Sequence, residues 1–297
     1  MSWVIEKDPV LQGLFAYNSF DNKRYLTRSA PWRSVKNPAP IKDVDYCGTR
    51  IYLEQVYNIA AVSKIDDALA ASFEKNQFHP IIDHLNRLQW DGVRRLDTVL
   101  SRYLGVQQSQ YSAEVFRKMM IALVARVMEP GCKFDNVLVL VGPQGCGKST
   151  FFRMLGGEWF SDTFGSLTGK EAFEQLQGAW LLESAELSTL KKAEIETVKH
   201  FFSKSSDMYR PAYGRTVETF KRQCVFVGTT NTSNFLKDAS GNRRFWPAVV
   251  DPTKAEFDVW SKEFEAVIPQ LHAEAVHLYK SSEQLILSQA AANQAVG

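Results

Sequence analysis

Apolar residues recur at helical spacing through most of the first 128 positions. Segments with apolar residues three or four positions apart lie at 46–78, 81–88, 93–104 and 113–128. Such spacing places the apolar side chains on one face of a helix, which packs against the rest of the protein. Ser63 can cap a second helix within the first segment. The pattern therefore predicts a series of helices, preceded by an aromatic and basic arm over 1–40 that prolines interrupt.

The pattern changes after residue 135. Apolar runs of strand length cover 136–141, 179–182 and 223–228, and they alternate with helical segments over 149–155 and 189–202. Strands that alternate with helices predict an α/β fold with a mainly parallel sheet flanked by helices. The stretch over 253–294 is amphipathic and helical. We therefore predict a mostly helical docking or oligomerisation region over 1–110 and an α/β core with C-terminal helices over 111–297.

The composition narrows the class of protein only a little. The chain has 297 residues, 45% of them hydrophobic and 23% charged, which is enough to form a large core. Its net charge is +2, so a nucleic-acid-binding surface has to be a local patch. The four cysteines form no C-x-x-C pair, and neither a signal peptide nor an apolar stretch of roughly 20 residues is present. We expect a reduced, cytoplasmic protein with no membrane partner.

The most informative motif directly follows the run over 136–141. It reads Gly142, Pro143, Gln144, Gly145, Cys146, Gly147, Lys148, Ser149, Thr150. The glycines allow a tight turn with converging backbone N–H groups, and the helix that follows directs its positive dipole end to the same place. This pattern is typical of a nucleotide phosphate loop, in which Lys148 reaches the β- and γ-phosphates and Ser149 ligates Mg²⁺. The motif predicts that the chain binds ATP with Mg²⁺.

Two carboxylates, Glu183 and Glu186, follow the run over 179–182. One acid at a strand end can hold hydrated Mg²⁺ beside Ser149, while a second can orient or deprotonate the attacking water. We assign Glu183 to the metal and Glu186 to the base, and the reverse order stays open. Glutamates next to a buried strand are otherwise ordinary solvated residues.

The run over 223–228 also ends in polar residues, Thr229, Thr230 and Asn231. In ATPases of this design, a strand beside the phosphate-loop strand presents a polar residue to the γ-phosphate and the lytic water. Asn231 is therefore the candidate sensor. The alternative is a simple turn, which these residue types commonly form.

Adjacent arginines, Arg243 and Arg244, lie between a glycine turn and the segment Phe-Trp-Pro. Such a pair suits an arginine finger, which stabilises charge on the transferred phosphoryl group. A finger that serves a neighbour's ATP makes activity depend on assembly. A structural pair bonded to acidic residues or to a DNA phosphate is an equal alternative.

A basic segment extends over 190–222. It contains eight lysines and arginines and four acids, a local excess of four positive charges. Residues 207–215 interleave aromatic and basic side chains around a proline and a glycine, as in a hairpin that binds nucleic acid. A solvated basic hairpin is the ordinary alternative. The candidate nucleic-acid contacts are Lys199, Tyr209, Arg210, Tyr213 and Arg215.

Together these motifs resemble the virulence-associated protein E family, primase-helicase-like ATPases of phages and mobile genomic islands that are similar to superfamily 3 helicases. The segments that carry the resemblance are 76–80, 90–96, 130–133, 142–149, 178–187, 198–199, 207–213, 228–231 and 241–247. The resemblance implies a ring-forming ATPase core of the AAA+ type, in which Arg243 or Arg244 is offered across a subunit boundary. It also implies that residues 199–213 match the DNA-facing hairpin of superfamily 3.

Two departures from the family pattern matter. Superfamily 3 helicases often place two acids side by side, whereas Glu183 and Glu186 are three positions apart. Relatives also often carry a primase part, for which this length leaves no room, so priming activity is not predicted.

The leading hypothesis is a DNA-stimulated ATPase, a helicase or translocase that works as a hexameric ring on single-stranded or forked DNA during replication of a phage or mobile element. A replication-origin or primase protein is a candidate partner. The alternative is an ATP-switched DNA-binding remodeller or regulator that does not unwind duplex. A small-molecule kinase is the third possibility, and it gives the arginine pair and the basic hairpin no role.

Overall fold

The computed structural model describes residues 1–163, 169–185, 192–211, 216–232 and 244–294, with side chains left out at 185 and 192–195. Contacts divide the chain into two units, Met1–Asp83 and His84–Gly297. This boundary differs from the sequence-based boundary at 110. Helix α5 (Val99–Leu104) belongs to the second unit, because the carbonyl oxygen of Leu104 accepts a hydrogen bond from Asp251 N at 3.1 Å. A helical pattern shows that a helix has an apolar face, but not which element covers that face.

The first unit combines helices with a small sheet. Its elements are α1 (Ser2–Lys7), β1 (Phe15–Asn18), β2 (Lys23–Leu26), β3 (Ala39–Pro40), α2 (Asp43–Tyr57), α3 (Val62–Lys75), β4 (Gln77–Phe78) and α4 (Pro80–Arg87), the last of which crosses the boundary. The strands lie in the order β3-β2-β1-β4, with β1 antiparallel to β2 and parallel to β4. The two helices predicted over 46–78 correspond to α2 and α3.

The sequence pattern did not predict the strands of this unit. They have two to four residues each, too few for a period of two to stand out. Phe15 and Leu26 pair across β1 and β2 with both side chains buried, and Asn22 turns the chain between them with φ 57°, a conformation that asparagine tolerates. Part of the predicted irregular arm is therefore a hairpin.

The second unit contains the large sheet. Its elements are α5, α6 (Gln110–Met128), β5 (Val137–Val141), α7 (Lys148–Gly156), β6 (Phe160–Ser161), α8 (Gly169–Glu174), β7 (Leu181–Ala185), α9 (Lys192–Ser203), β8 (Ser206–Tyr209), β9 (Glu218–Lys221), β10 (Val225–Thr230), β11 (Phe245–Val249), α10 (Lys262–Lys280) and α11 (Gln289–Gln294). Short 3-10 turns cover Gly157–Trp159 and Pro252–Lys254.

Five strands form an all-parallel sheet in the order β11-β5-β10-β7-β6. All five residues of β5 are buried, as expected for a parallel strand that is covered on both faces. Val137, Val139 and Val141 belong to a core cluster that also contains residues of α9. Toward the other face, the rings of Phe116, Phe151 and Phe264 join α6, α7 and α10 with centroid distances of 5.0 to 5.7 Å. The predicted α/β fold, with a parallel sheet flanked by helices, is confirmed.

Strands β8 and β9 form a separate antiparallel hairpin. Arg222 fixes its base, because Nε and Nη2 donate to the two carboxylate oxygens of Asp207 at 2.6 and 2.8 Å. Both side chains are 1% exposed, and the guanidinium lies 4.3 Å from the Phe201 ring centroid. The buried ion pair thus joins the two strands of the hairpin at its base, and the contact of Arg222 with Phe201 of α9 links that base to the core.

Over the ranges that the structure describes, no helix is both long enough and apolar enough to cross a membrane.

Candidate functional site

The loop over 142–147, called the glycine loop below, joins β5 to α7 at the carboxyl edge of the sheet. Gly145 and Gly147 have φ angles of 80° and 84°, a region that side chains with a Cβ rarely adopt. A Cβ on Gly147 would also lie 2.4 Å from Val259 Cγ2. These two positions therefore require glycine, for backbone conformation and, at Gly147, also for space.

Lys148 begins α7, and its side chain lies against the glycine loop. Its Nζ donates to the carbonyl oxygens of Gly142 and Pro143, both at 2.7 Å, and to Asn231 Oδ1 at 3.3 Å. The residue is only 8% exposed. An ammonium group at this depth, among neutral oxygens, is a favourable partner for an anion. The structure thus brings together the predicted phosphate-binding lysine and the predicted sensor.

Asn231 reaches Lys148 because β10 lies next to β5. Thr230 pairs with Val141 at the ends of the two strands, and Gly142 N donates to the Thr230 carbonyl at 3.1 Å. The residue after β10 is therefore held beside the start of the glycine loop. This is the strand neighbour that the sequence analysis expected for a sensor residue.

Glu183 accepts two hydroxyl hydrogen bonds on one carboxylate oxygen. Ser149 Oγ donates to Oε1 at 2.6 Å, and Thr229 Oγ1 donates to the same atom at 2.5 Å. Glu183 is 1% exposed, and its Oε2 has no hydrogen-bond partner among the described residues. A buried carboxylate oxygen without a donor is costly, so this atom is suited to a cation or to a water molecule bound to one.

This donor set fits Mg²⁺. Magnesium is commonly held by one or two carboxylates together with phosphates and waters, and Ser149 and Glu183 supply a hydroxyl and a carboxylate at one point. A site in which protein side chains alone surround the metal is a different arrangement. The described part of the chain contains no group of three or more His, Cys, Asp or Glu side chains that could form one.

Thr229 is a site residue that the sequence analysis did not single out. Its side chain meets Glu183 inside the sheet, where Thr229 is 6% exposed. The sequence feature that could have identified Thr229 is its position at the end of an otherwise apolar strand. A hydroxyl that is buried there needs a hydrogen-bond partner. Glu183 itself lies within β7 opposite Val227, whereas the sequence placed it at the strand end.

Arg244 is far from the glycine loop of its own chain. Phe245 pairs with Val137 at the start of two parallel strands, so Arg244 lies at the amino edge of the sheet. The loop follows β5 at its carboxyl edge, roughly 13 Å away for a five-residue strand. Arg244 Nε donates to Asp135 Oδ2 at 3.3 Å, and its side chain is 27% exposed. The other candidates Glu186 and Arg243 lie outside the described residues.

Two of the candidate nucleic-acid contacts are buried, which corrects the expectation for them. Lys199 is 4% exposed and its Nζ donates to Glu196 at 2.8 Å. Tyr209 is 8% exposed because it faces the inner side of the hairpin, with its ring 4.5 Å from that of Phe220. Successive side chains of β8 point to opposite faces, so Met208 is exposed instead. Arg210, the residue after β8, is also exposed. Tyr213 and Arg215 lie outside the described residues.

The fold and the site define a class: an α/β protein whose parallel sheet carries a glycine loop, a buried lysine and a hydroxyl–carboxylate contact at its carboxyl edge. The model of the virulence-associated protein E-like domain matches residues 85–296. The chain belongs to this family, as its motifs indicated. The match begins next to His84, where the second unit starts.

Solved structures share the fold at low identity. An apo structure of the NrS-1 C-terminal region is 12% identical with a TM-score of 0.51, over 94% of this chain and 68% of that one. An A-form apo structure of the same region is 13% identical with a TM-score of 0.52, over 95% and 72%. No curated protein matches the chain significantly.

Proposed function

We propose that the chain is an ATPase that acts on DNA in the replication of a phage or mobile element, as a helicase or translocase. One observation carries the ATPase assignment: the buried Lys148, whose side chain lies against the glycine loop, is next in sequence to Ser149, whose hydroxyl donates to Glu183. A cation for phosphate and a hydroxyl–carboxylate pair suited to Mg²⁺ therefore lie close together where α7 begins, as ATP hydrolysis requires.

The proposed roles follow from the contacts. Lys148 exchanges carbonyl oxygens of the loop for phosphate oxygens, which carry full charge and bind an ammonium group more strongly. Ser149 and Glu183 hold Mg²⁺, which when bound neutralises charge on the β- and γ-phosphates. Asn231 stays beside Lys148 and orients the attacking water. Glu186, a few residues beyond Glu183, is the proposed base.

The position of Arg244 supports assembly into a ring. An arginine at the amino edge of the sheet cannot reach a nucleotide at the carboxyl edge of the same chain. Its only catalytic use is therefore in trans, on the nucleotide of a neighbouring subunit. Its ion pair with Asp135 is partly exposed, and exposed pairs of this kind are weak enough to exchange partners.

The basic segment supports DNA as the stimulating ligand. Arg210 and Lys221 lie exposed on the β8 and β9 hairpin, and the buried pair of Arg222 and Asp207 fixes the base of that hairpin. Cations on a fixed support attract a phosphate backbone independently of its sequence. Membership of the virulence-associated protein E-like family agrees with an origin in mobile DNA.

Steady-state ATP hydrolysis with and without single-stranded DNA tests the proposal. We expect DNA to raise turnover, and Lys148→Ala and Arg244→Ala each to abolish it, while the exposed controls Lys280→Ala and Arg94→Ala retain it. Mixing the two inactive variants restores part of the activity, because a subunit with intact Lys148 then meets one with intact Arg244.

Strand displacement on a forked duplex, measured in the same reactions, tests the helicase assignment. Hydrolysis that responds to DNA without displacement would assign the chain to the ATP-switched remodellers. Hydrolysis that is indifferent to both DNA and protein concentration would exclude a ring motor and favour a monomeric enzyme. The absence of any hydrolysis by the natural chain would refute the ATPase assignment.

A further inference from the structure

A cavity of about 430 Å³ borders the glycine loop. Residues 143–146 form one wall, and Tyr103, Phe257 and Trp260 line the remainder together with the chain between Pro252 and Asp258. The volume lies within the range of small-ligand sites, about 300 to 1,000 Å³. None of the proposed roles in hydrolysis uses this cavity.

The far wall is fixed by the main chain. Arg102 O accepts hydrogen bonds from Glu256 N at 2.8 Å and from Phe257 N at 3.0 Å. A Cβ on Gly105 would lie 1.9 Å from the Asp251 carbonyl oxygen, so a glycine is needed for this close approach. Main-chain contacts therefore help to position the segment that lines the cavity, as in sites that are formed before the ligand binds.

Trp260 connects this wall to the glycine loop. Its indole lies 3.3 Å from where a Cβ on Gly147 would be, yet the residue is 59% exposed. A large aromatic side chain with so much exposed surface beside a cavity offers a face for stacking. Tyr103 and Phe257 lie deeper, with ring centroids 5.6 Å apart.

Charge is distributed unevenly along the cavity. The Lys148 ammonium lies against the loop wall, where its Nζ donates to the carbonyl oxygen of Pro143, and the carboxylates of Glu256 and Asp258 line the cavity itself. Glu256 is paired with Arg102 at 2.9 Å, and Asp258 accepts from Trp260 N at 2.9 Å. A ligand that is anionic at one end, and aromatic with hydrogen-bond donors at the other, matches this arrangement.

We propose that the cavity binds the nucleobase of the triphosphate, with the base stacked on Trp260 and the phosphates in the glycine loop. This inference rests on the proposed function, because the loop has to bind the phosphates. It makes the substrate a nucleoside triphosphate with an aromatic base, and not any polyphosphate. Trp260 is a binding residue, and it takes no part in bond cleavage.

Equilibrium binding of Mg-ATP and of Mg-tripolyphosphate, which lacks base and ribose, tests the inference. We expect the natural chain to bind ATP more tightly than tripolyphosphate. Trp260→Ala weakens ATP binding about tenfold, in line with the stacking of one base, and leaves tripolyphosphate binding unchanged. Trp260→Phe retains most of the ATP affinity, because a ring remains. Trp3→Ala, which removes a tryptophan that is 71% exposed in the first unit, is the matched control and has no effect.

Equal affinity of the natural chain for ATP and tripolyphosphate would overturn the inference, as would an equal loss for both ligands in Trp260→Ala. In either case phosphate binding, and with it the proposed function, still stands. Failure of the natural chain to bind either ligand would refute the proposed function itself. Lys148→Ala distinguishes phosphate binding from base binding, because this substitution is expected to weaken the binding of ATP and of tripolyphosphate equally.

Discussion

Ser149 and Glu183 are 34 residues apart in sequence, and their side chains meet at 2.6 Å. Ser149 lies in the first turn of α7, while Glu183 lies in β7, two strands away from β5 in the sheet. Thr229 of the intervening strand β10 donates to the same carboxylate oxygen. One helix and two neighbouring strands therefore meet at Oε1 of Glu183, whereas its Oε2 has no hydrogen-bond partner among the described residues.

Glu183→Gln separates nucleotide binding from hydrolysis. The neutral amide has almost the same shape, but it holds Mg²⁺ poorly, so we expect ATP hydrolysis to fall roughly 100-fold or more. ATP binding through Lys148 is expected to persist. Steady-state hydrolysis and equilibrium ATP binding measure the two effects. Glu171→Gln, an exposed acid on α8, is the control and retains full activity. Full hydrolysis by Glu183→Gln would exclude Glu183 as the metal ligand.

Thr229→Val removes one donor to Glu183 and keeps the shape of the side chain. We expect the variant to lose about 1 kcal/mol of unfolding free energy, because a buried carboxylate oxygen then keeps a single partner. It should also need more Mg²⁺ for half-maximal hydrolysis. Urea unfolding and a Mg²⁺ titration measure these changes. Thr229→Ser keeps the hydroxyl and restores both values. If Val and Ser behave alike, the hydroxyl has no role.

Local patterns predicted the parts of the site that follow one another in the chain. The glycine loop and the start of its helix are contiguous, so residues 142–150 suggest a phosphate loop without knowledge of the fold, and that role stays a prediction. The placement of Asn231 also followed, because the parallel sheet brings strand ends to one edge. The order in which these motifs follow one another along the chain supported the resemblance to the virulence-associated protein E family.

The sequence pattern could not predict contacts between segments that are distant in the chain. Nothing near Thr229 indicates that Glu183 is its partner, since this depends on the register between β7 and β10. Tyr209 looked like a stacking residue, but the pairing of β8 with β9 decides which face of the hairpin each residue occupies. The cavity beside the glycine loop depends on chain segments at 102–105 and 251–260 that meet only in the fold.

The ion pair of Arg222 and Asp207 joins the two strands of the hairpin at its buried base. Asp207→Asn leaves a buried guanidinium with a weaker partner, and we expect it to lower the unfolding free energy by about 3 kcal/mol. Urea unfolding measures this. The partly exposed pair of Arg50 and Asp66 is the matched control, and Asp66→Asn is expected to cost less than about 1 kcal/mol. Equal losses would show that burial does not strengthen the first pair.

Arg210 and Lys199 are expected to differ in their effect on DNA binding. Arg210 is exposed, so Arg210→Ala lowers affinity for single-stranded DNA and reduces the slope of log affinity against log salt by about 1. Lys199→Ala leaves the salt dependence unchanged and reduces stability instead, since Lys199 is buried against Glu196. Binding titrations at several salt concentrations measure the slopes. The opposite outcome would restore Lys199 as a phosphate contact.

His272 is buried on α10 as a neutral imidazole. Its ring lies 5.1 Å from that of Trp180, and Nε2 donates to the Leu155 carbonyl at 3.1 Å. Nδ1 then accepts from His84 Nε2 at 3.4 Å. Burial, reinforced by the charge that His84 carries when protonated, lowers the pKa of His272 to about 4.

The unfolded chain therefore takes up this proton at higher pH than the folded protein, whose His272 pKa lies well below the ordinary value of 6.5. The resulting stability is fully present above about pH 6.5, and about 3 kcal/mol of it is lost as the pH falls to 4. Urea unfolding at steps between pH 7.5 and pH 4 measures the loss. His272→Gln keeps a donor for Leu155 but has no titrating group, so its stability should decline less over this range. Parallel curves for the natural chain and the variant would mean that His272 does not contribute.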